Sequence, residues 1–198
     1  MSPAPAPWAE GAWQERAFAL RPFGRPAAEL GLALTGRLAR QGERLRVLYL
    51  LRGDLDAVCW PEARSGAAER ADGLWQHTCF ELFLAAEGAA PYWEVNLSPS
   101  GAWNLYRLDA YRRGLRPEGD RVALPFALRR TAEGVELELE LALPADLARA
   151  CQERALRLGV SAVIERRGGE LSYWALAHGG AEADFHRRED FLLRLEPS

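Results

Sequence analysis

Residues Val135-Glu136-Leu137-Glu138-Leu139-Glu140-Leu141 alternate apolar and acidic side chains without a break. A strand places successive side chains on opposite faces, so this run makes one apolar face and one carboxylate face; wound as a helix, it would scatter its leucines around the whole circumference. Strand patterns also cover 30–39 and 44–51, joined across the turn Gln41-Gly42-Glu43. Further strand patterns lie at 77–85, 91–98 and 103–109, the last two separated by Ser98-Pro99-Ser100-Gly101, where Pro fixes φ and Gly permits a positive φ. Segments 122–130, 156–166, 171–177 and 190–195 complete the set. A single helix is predicted near 145–153, opened by Pro144-Ala145-Asp146-Leu147-Ala148-Arg149 and running toward Arg154. About ten short strands without the crossover helices of a parallel sheet predict an all-β fold, a two-sheet antiparallel β-sandwich with one short helix. There is no repeat or linker; residues 1–10 read as a Pro/Ala-rich flexible tail and 11–198 as one domain.

Composition narrows the classes. With 198 residues, 48% hydrophobic and 27% charged, the chain has the make-up of a soluble domain that needs no disulfide or metal to hold its core. A net charge of −3 argues against a nucleic-acid partner, which would require a basic footprint. All 25 basic residues are Arg, so no lysine is present to act as a Schiff base, general base or phosphate anchor. Cys59, Cys79 and Cys151 form no CxxC pair and are expected to be free thiols in a reducing compartment. The start of the chain lacks a basic region followed by an apolar one, and no apolar run approaches the ~20 residues of a membrane span. The expectation is a cytoplasmic, bacterial-type protein without membrane partners.

GxSxG, Walker A, GxGxxG and HExxH motifs are all missing. The informative stretch is 72–111, which carries three of the seven Trp and mixes carboxylates and carboxamides into strands that otherwise read as core. Period 2 puts Tyr92, Glu94, Asn96 and Ser98 on one face of their strand, with Trp93, Val95 and Leu97 on the other; in the preceding strand Cys79, Glu81 and Phe83 share a face. Drying out a face that bears Glu94 and Asn96 is costly unless those groups are paired. Such a face suits a wet concave surface holding a polar ligand, and carbohydrate fits best: aromatic rings cover the apolar side of a sugar while carboxylates and amides bond its hydroxyls. If Glu81 and Glu94 stand across a cleft, a hydrolase or lyase using the carboxylate pair is an alternative.

The phrases Leu74-Trp75-Gln76-His77-Thr78-Cys79-Phe80-Glu81, Tyr92-Trp93-Glu94-Val95-Asn96-Leu97-Ser98-Pro99-Ser100-Gly101, Trp103-Asn104-Leu105-Tyr106, Tyr173-Trp174-Ala175-Leu176-Ala177-His178 and Asp184-Phe185-His186 resemble the DOMON-like ligand-binding domains, which are related to carbohydrate-binding module family 9. The resemblance implies an immunoglobulin-like β-sandwich that binds sugar or haem. It nominates Trp75, Glu81, Asn96, Trp103 and Trp174 as ligand-binding residues; Glu94, Asn104 and His178 complete the candidate set, with Trp75, Trp103 or Trp174 expected at the rim of the site. The haem-binding branch ligates iron with Met plus His or Lys. Here the only Met is Met1 and Lys is absent, which leaves a bis-His site drawn from His77, His178 and His186 as the remaining route to a haem-binding electron-transfer module. His178, Glu182, Asp184 and His186 are of metal-ligating types, but Gly179-Gly180 places them in a loop, where His186 is expected to donate to a backbone carbonyl near the last strand. The reading is a non-catalytic binder of a small molecule or glycan, with no metal, no cofactor and no catalytic residue assigned.

Overall fold

The computed structural model describes residues 13–62, 69–119, 121 and 123–197. The proposed tail at 1–10 lies outside them. The alternating segments form two antiparallel sheets. The first contains β1 (Gln14–Ala19), β3 (Leu32–Gln41), β4 (Arg44–Gly53), β10 (Gly134–Ala142) and β9 (Phe126–Thr131), side by side in that order. The second runs β2 (Arg21–Pro22), β12 (Leu171–Ala175), β11 (Leu156–Glu165), β5 (Cys79–Ala86), β6 (Tyr92–Leu97), β7 (Trp103–Leu108) and β8 (Arg116–Pro117), and β13 (Leu193–Leu195) also pairs with β11.

The β3–β4 hairpin closes at the pair Gln41–Arg44, with Gly42 at φ 58° in the turn. In β10, Leu137, Leu139 and Leu141 are fully buried, whereas Glu140 faces outward to Arg44 and Arg46 at 2.6 and 3.1 Å and Glu136 to Arg129 at 3.2 Å. Exposed pairs of this kind contribute about 0–1 kcal/mol each, so the leucine face drives the packing. It meets Leu38, Val47 and Leu51 of its own sheet and Phe80, Leu82, Leu84, Val95 and Leu105 of the other in one apolar core. Tyr49 Oη crosses that core to donate to the Glu81 carbonyl at 2.7 Å.

Two short helices form where one is predicted. The helix α2 (Ala145–Ala150) starts after Pro144 as expected, burying Leu147 and Ala148. The other, α1 (Ala27–Leu30), is a single turn between Pro26 and a left-handed Gly31, too short for any period to register. Strand β1 was not foreseen because Phe18 is its only buried residue. The last strand is shorter than 190–195, since Arg188–Asp190 form a 3₁₀ turn.

Strands β5 and β6 are buried at every position. One face lies on the core. The other carries a second apolar cluster, Phe83, Ala85, Tyr92, Tyr106, Leu108 and Phe191, against which Phe185 packs. Phe191 packs so closely on β11 that a Cβ at Gly159 would come within 2.8 Å of its ring. This contact fastens the segment 176–192 over the outer face of the second sheet.

Candidate functional site

Strand register assembles the floor of the site. Glu81 stands opposite Ser161 on one side and Asn96 on the other, and Asn96 stands opposite Asn104. One row along, Glu94 lies between Phe83 and Tyr106. Glu81 and Glu94 are thus diagonal neighbours on the outer face, at a spacing where long side chains interact.

Above this floor opens a cleft of about 520 Å³. Trp75 and Gln76 enter it from the 3₁₀ turn Leu74–Gln76, Arg112 and Leu115 from the loop after β7, Leu171 and Tyr173 from β12, and Ala183, Phe185 and His186 from the covering segment. Trp75 and Tyr173 are each 37% exposed, which leaves ring surface for a ligand. Trp75 meets Tyr106 edge-on at 6.1 Å, and Tyr173 meets Phe185 at 6.2 Å.

The floor is dry and acidic. Glu81 is 3% exposed, Glu94 5% and Asn96 0%. Asn96 Nδ2 donates to Glu94 Oε1 at 2.8 Å, and its Oδ1 faces the Cys79 thiol at 3.9 Å. Glu81 Oε1 is buried with no hydrogen-bond partner, as is Ser161 Oγ on the adjoining strand. Burial, reinforced by the Glu94 charge, pushes the Glu81 carboxyl well above the usual range. Burial raises Glu94 as well, opposed by the Asn96 N–H and the Arg112 charge. Those two favourable partners belong to Glu94 alone, so of the two carboxyls Glu81 is the more strongly biased toward its protonated form.

His186 closes one end. Its Nδ1 is 2.8 Å from Tyr92 Oη, which receives the Arg112 backbone N–H at 3.2 Å. Tyr92 is thereby placed to donate to Nδ1, which puts the ring proton on Nε2, 4.0 Å from Glu94 Oε2. Burial, with the Arg112 charge, lowers the His186 pKa to about 4, so the ring is neutral at neutral pH. Arg112, whose φ of 52° is left-handed, pairs with Asp184 at 2.7 Å; Tyr111 Oη also donates to Asp184.

Of the residues singled out in the sequence, Trp75, Glu81 and Glu94 line the cleft. Asn96 lies beneath it as the link between Cys79 and Glu94. Asn104 braces the turn that carries Trp75: its Nδ2 donates to Ala71 O and Asp72 Oδ1, both at 3.0 Å, and Tyr106 Oη joins the same Asp72 oxygen at 2.6 Å. Trp103 and Trp174 are not at the rim. Both are fully buried in the inter-sheet core, because pairing with Leu97 and Ala162 turns them to the apolar side of the sheet. His178 is outside the cleft lining; its Nε2 lies 2.8 Å from the Arg21 carbonyl, and its ring is 5.2 Å from Phe23. His186 meets the Tyr92 hydroxyl rather than a backbone carbonyl. His77 pairs with Glu165 at 2.8 Å, so each histidine has its own separate partner. Among the described residues no three His, Cys, Asp or Glu side chains are grouped to hold a metal, and no helix is long and apolar enough to cross a membrane.

Sequence reasoning missed Tyr173, Phe185, His186 and Arg112 as cleft residues. Tyr173 was within reach: it alternates with Trp174, so burying one ring in the core turns the other outward. The rest depend on how segment 176–192 and the loop after β7 fold back.

No protein-family model matches the chain, and no curated protein matches it. Among solved structures it is similar to a "putative carbohydrate-binding protein" from Bacteroides uniformis ATCC 8492, with a TM-score of 0.63 and 14% identity over 88% of this chain and 83% of that one. The two share a fold.

Proposed function

We propose that the cleft binds a small carbohydrate and performs no chemistry on it. The observation that carries this reading is a cleft of about 520 Å³ with a buried carboxylate pair at its floor and exposed aromatic rings on its walls. The rings of Trp75 and Tyr173 offer apolar surface to one side of a sugar, while Glu81 and Glu94 accept hydrogen bonds from its hydroxyls. The fold shared with the Bacteroides protein supports the same ligand class. Ligand contacts pass to Trp75, Glu81 and Glu94, with Asn96 and Asn104 as supports.

Calorimetric titration with a panel of mono- and disaccharides tests the proposal. Saturable binding is expected, and Trp75→Ala should weaken it about tenfold, more than ~1 kcal/mol for a stacked aromatic, with little change in unfolding midpoint. Failure of every sugar to bind, or unchanged affinity in Trp75→Ala, would overturn it. One observation favours a second reading: Glu81 and Glu94 stand on adjacent strands at the floor of one cleft, and a pair of carboxyl groups flanking the bond is what a glycosidase needs. Release of the aglycone from aryl glycosides, abolished in both Glu81→Gln and Glu94→Gln, would establish that reading instead.

A further inference from the structure

We infer that the sugar accepted by this cleft carries a free, protonated amine, held by Glu81 and Glu94 on the cleft floor. This rests on the carbohydrate reading and specifies the ligand's class. Glu81 Oε1 is a buried acceptor without a partner, and it belongs to a side chain that is 3% exposed and lines the cleft. A buried carboxylate is tolerated when a counter-charge and hydrogen-bond donors reach it. The protein does not supply them. The chain has no lysine, and Arg112 is the one cationic side chain among the described residues lining the cleft. Arg112 is already paired with Asp184 at 2.7 Å, and Glu81 Oε1 is left without a partner.

The other titratable groups add no positive charge. His186 is neutral, and burial raises the Tyr49, Cys79, Tyr92 and Tyr106 pKa values, so these four stay protonated. A hydroxyl would bring one donor and no charge. An ammonium brings three donors and a full positive charge, and it answers both acidic side chains at once. The walls favour the same group, because the faces of Trp75 and Tyr173 carry the negative side of the ring quadrupole and attract cations. Burial and the Glu94 charge favour the protonated form of Glu81 in the empty cleft, whereas a bound ammonium favours the ionised form, so binding releases protons to solvent.

The test is titration of the whole chain with glucosamine, galactosamine and mannosamine, each set against its parent hexose and its N-acetyl derivative. At least one amine is expected to bind tenfold or more tightly than both its controls. Glu81→Gln should remove that gap, lowering the affinity for the amine tenfold or more beyond whatever it takes from the parent hexose. Calorimetry at about pH 6, below the ~8 of an ordinary α-amino group, should show proton release as a buffer-dependent heat that Glu81→Gln abolishes. Equal affinity across each set, or a gap that survives in Glu81→Gln, would overturn the amine inference and leave the carbohydrate reading standing. Binding by none of the nine sugars would overturn both. Should Glu81→Gln fail to fold, Glu94→Gln read on the same sugars decides, and an undiminished gap there overturns the inference.

Discussion

Glu81 and His186 line the same cleft yet respond to pH in opposite senses. Glu81 binds its proton more tightly folded than unfolded, where its value is near 4.5. Its contribution to stability is therefore complete below pH 4.5 and is lost as pH rises through the raised folded value. His186 is depressed to about 4 from 6.5, so its contribution is complete above pH 6.5 and is lost as pH falls toward 4. Glu81→Gln is expected to remove the alkaline loss alone, gaining on the wild type by about 1.4 kcal/mol for each pKa unit removed. Urea midpoints from about pH 4 to 9 check this; parallel curves for the two proteins would refute it. The tryptophans separate just as sharply. Trp103 is fully buried, so Trp103→Ala should cost about 3–5 kcal/mol of stability, read as an unfolding midpoint, in contrast to the exposed Trp75.

At the scale of elements, the cleft exists because the segment 176–192 is fastened to β11. Gly159 is where it is fastened, since Phe191 occupies the space a side chain would need. Gly159→Ala is expected to cost about 1–3 kcal/mol through overpacking and to lift Phe191, carrying Phe185 and His186 away from the cleft. Ligand affinity should fall, and amide exchange across 176–192 should rise. Gly36→Ala makes the useful contrast. Its Cβ would lie 2.1 Å from the Leu48 backbone oxygen and 2.3 Å from the Phe18 ring, in the sheet remote from the cleft. It should destabilise the protein more than Gly159→Ala, because backbone yields less than a side chain, yet spare the affinity of the molecules that fold. The elements themselves were largely legible: the leucine–glutamate alternation of β10, the β3–β4 hairpin around Gly42 and the Pro144 helix start appear as read. Phe18 alone is buried in β1, and α1 spans one turn, so neither left a periodic trace.

For the whole molecule, the two sheets meet beneath the site. Tyr49 Oη reaches from the first sheet through the core to the Glu81 carbonyl of the second, at 2.7 Å. Tyr49→Phe deletes this bond with little change of shape and should cost roughly 0.5–1.5 kcal/mol in denaturant unfolding. The sequence by itself determined which residues could share a face: period-2 alternation set Glu81 with Phe83, and Glu94 with Asn96, because a strand leaves a side chain only two directions to point. The same rule placed the whole of Trp93, Val95 and Leu97 opposite them. It could not say which of two aromatic residues in a strand meets the core: of the three alternatives for the rim, Trp103 and Trp174 lie in the core and Trp75 lines the cleft, together with Tyr173. Only the tertiary structure decided that. Register between β5 and β6 set the two carboxylates diagonally, and the return of segment 176–192 over the sheet turned a face expected to be wet into a dry floor under a cleft. Contacts between residues distant in the chain depend on loop paths and packing, which no local period encodes.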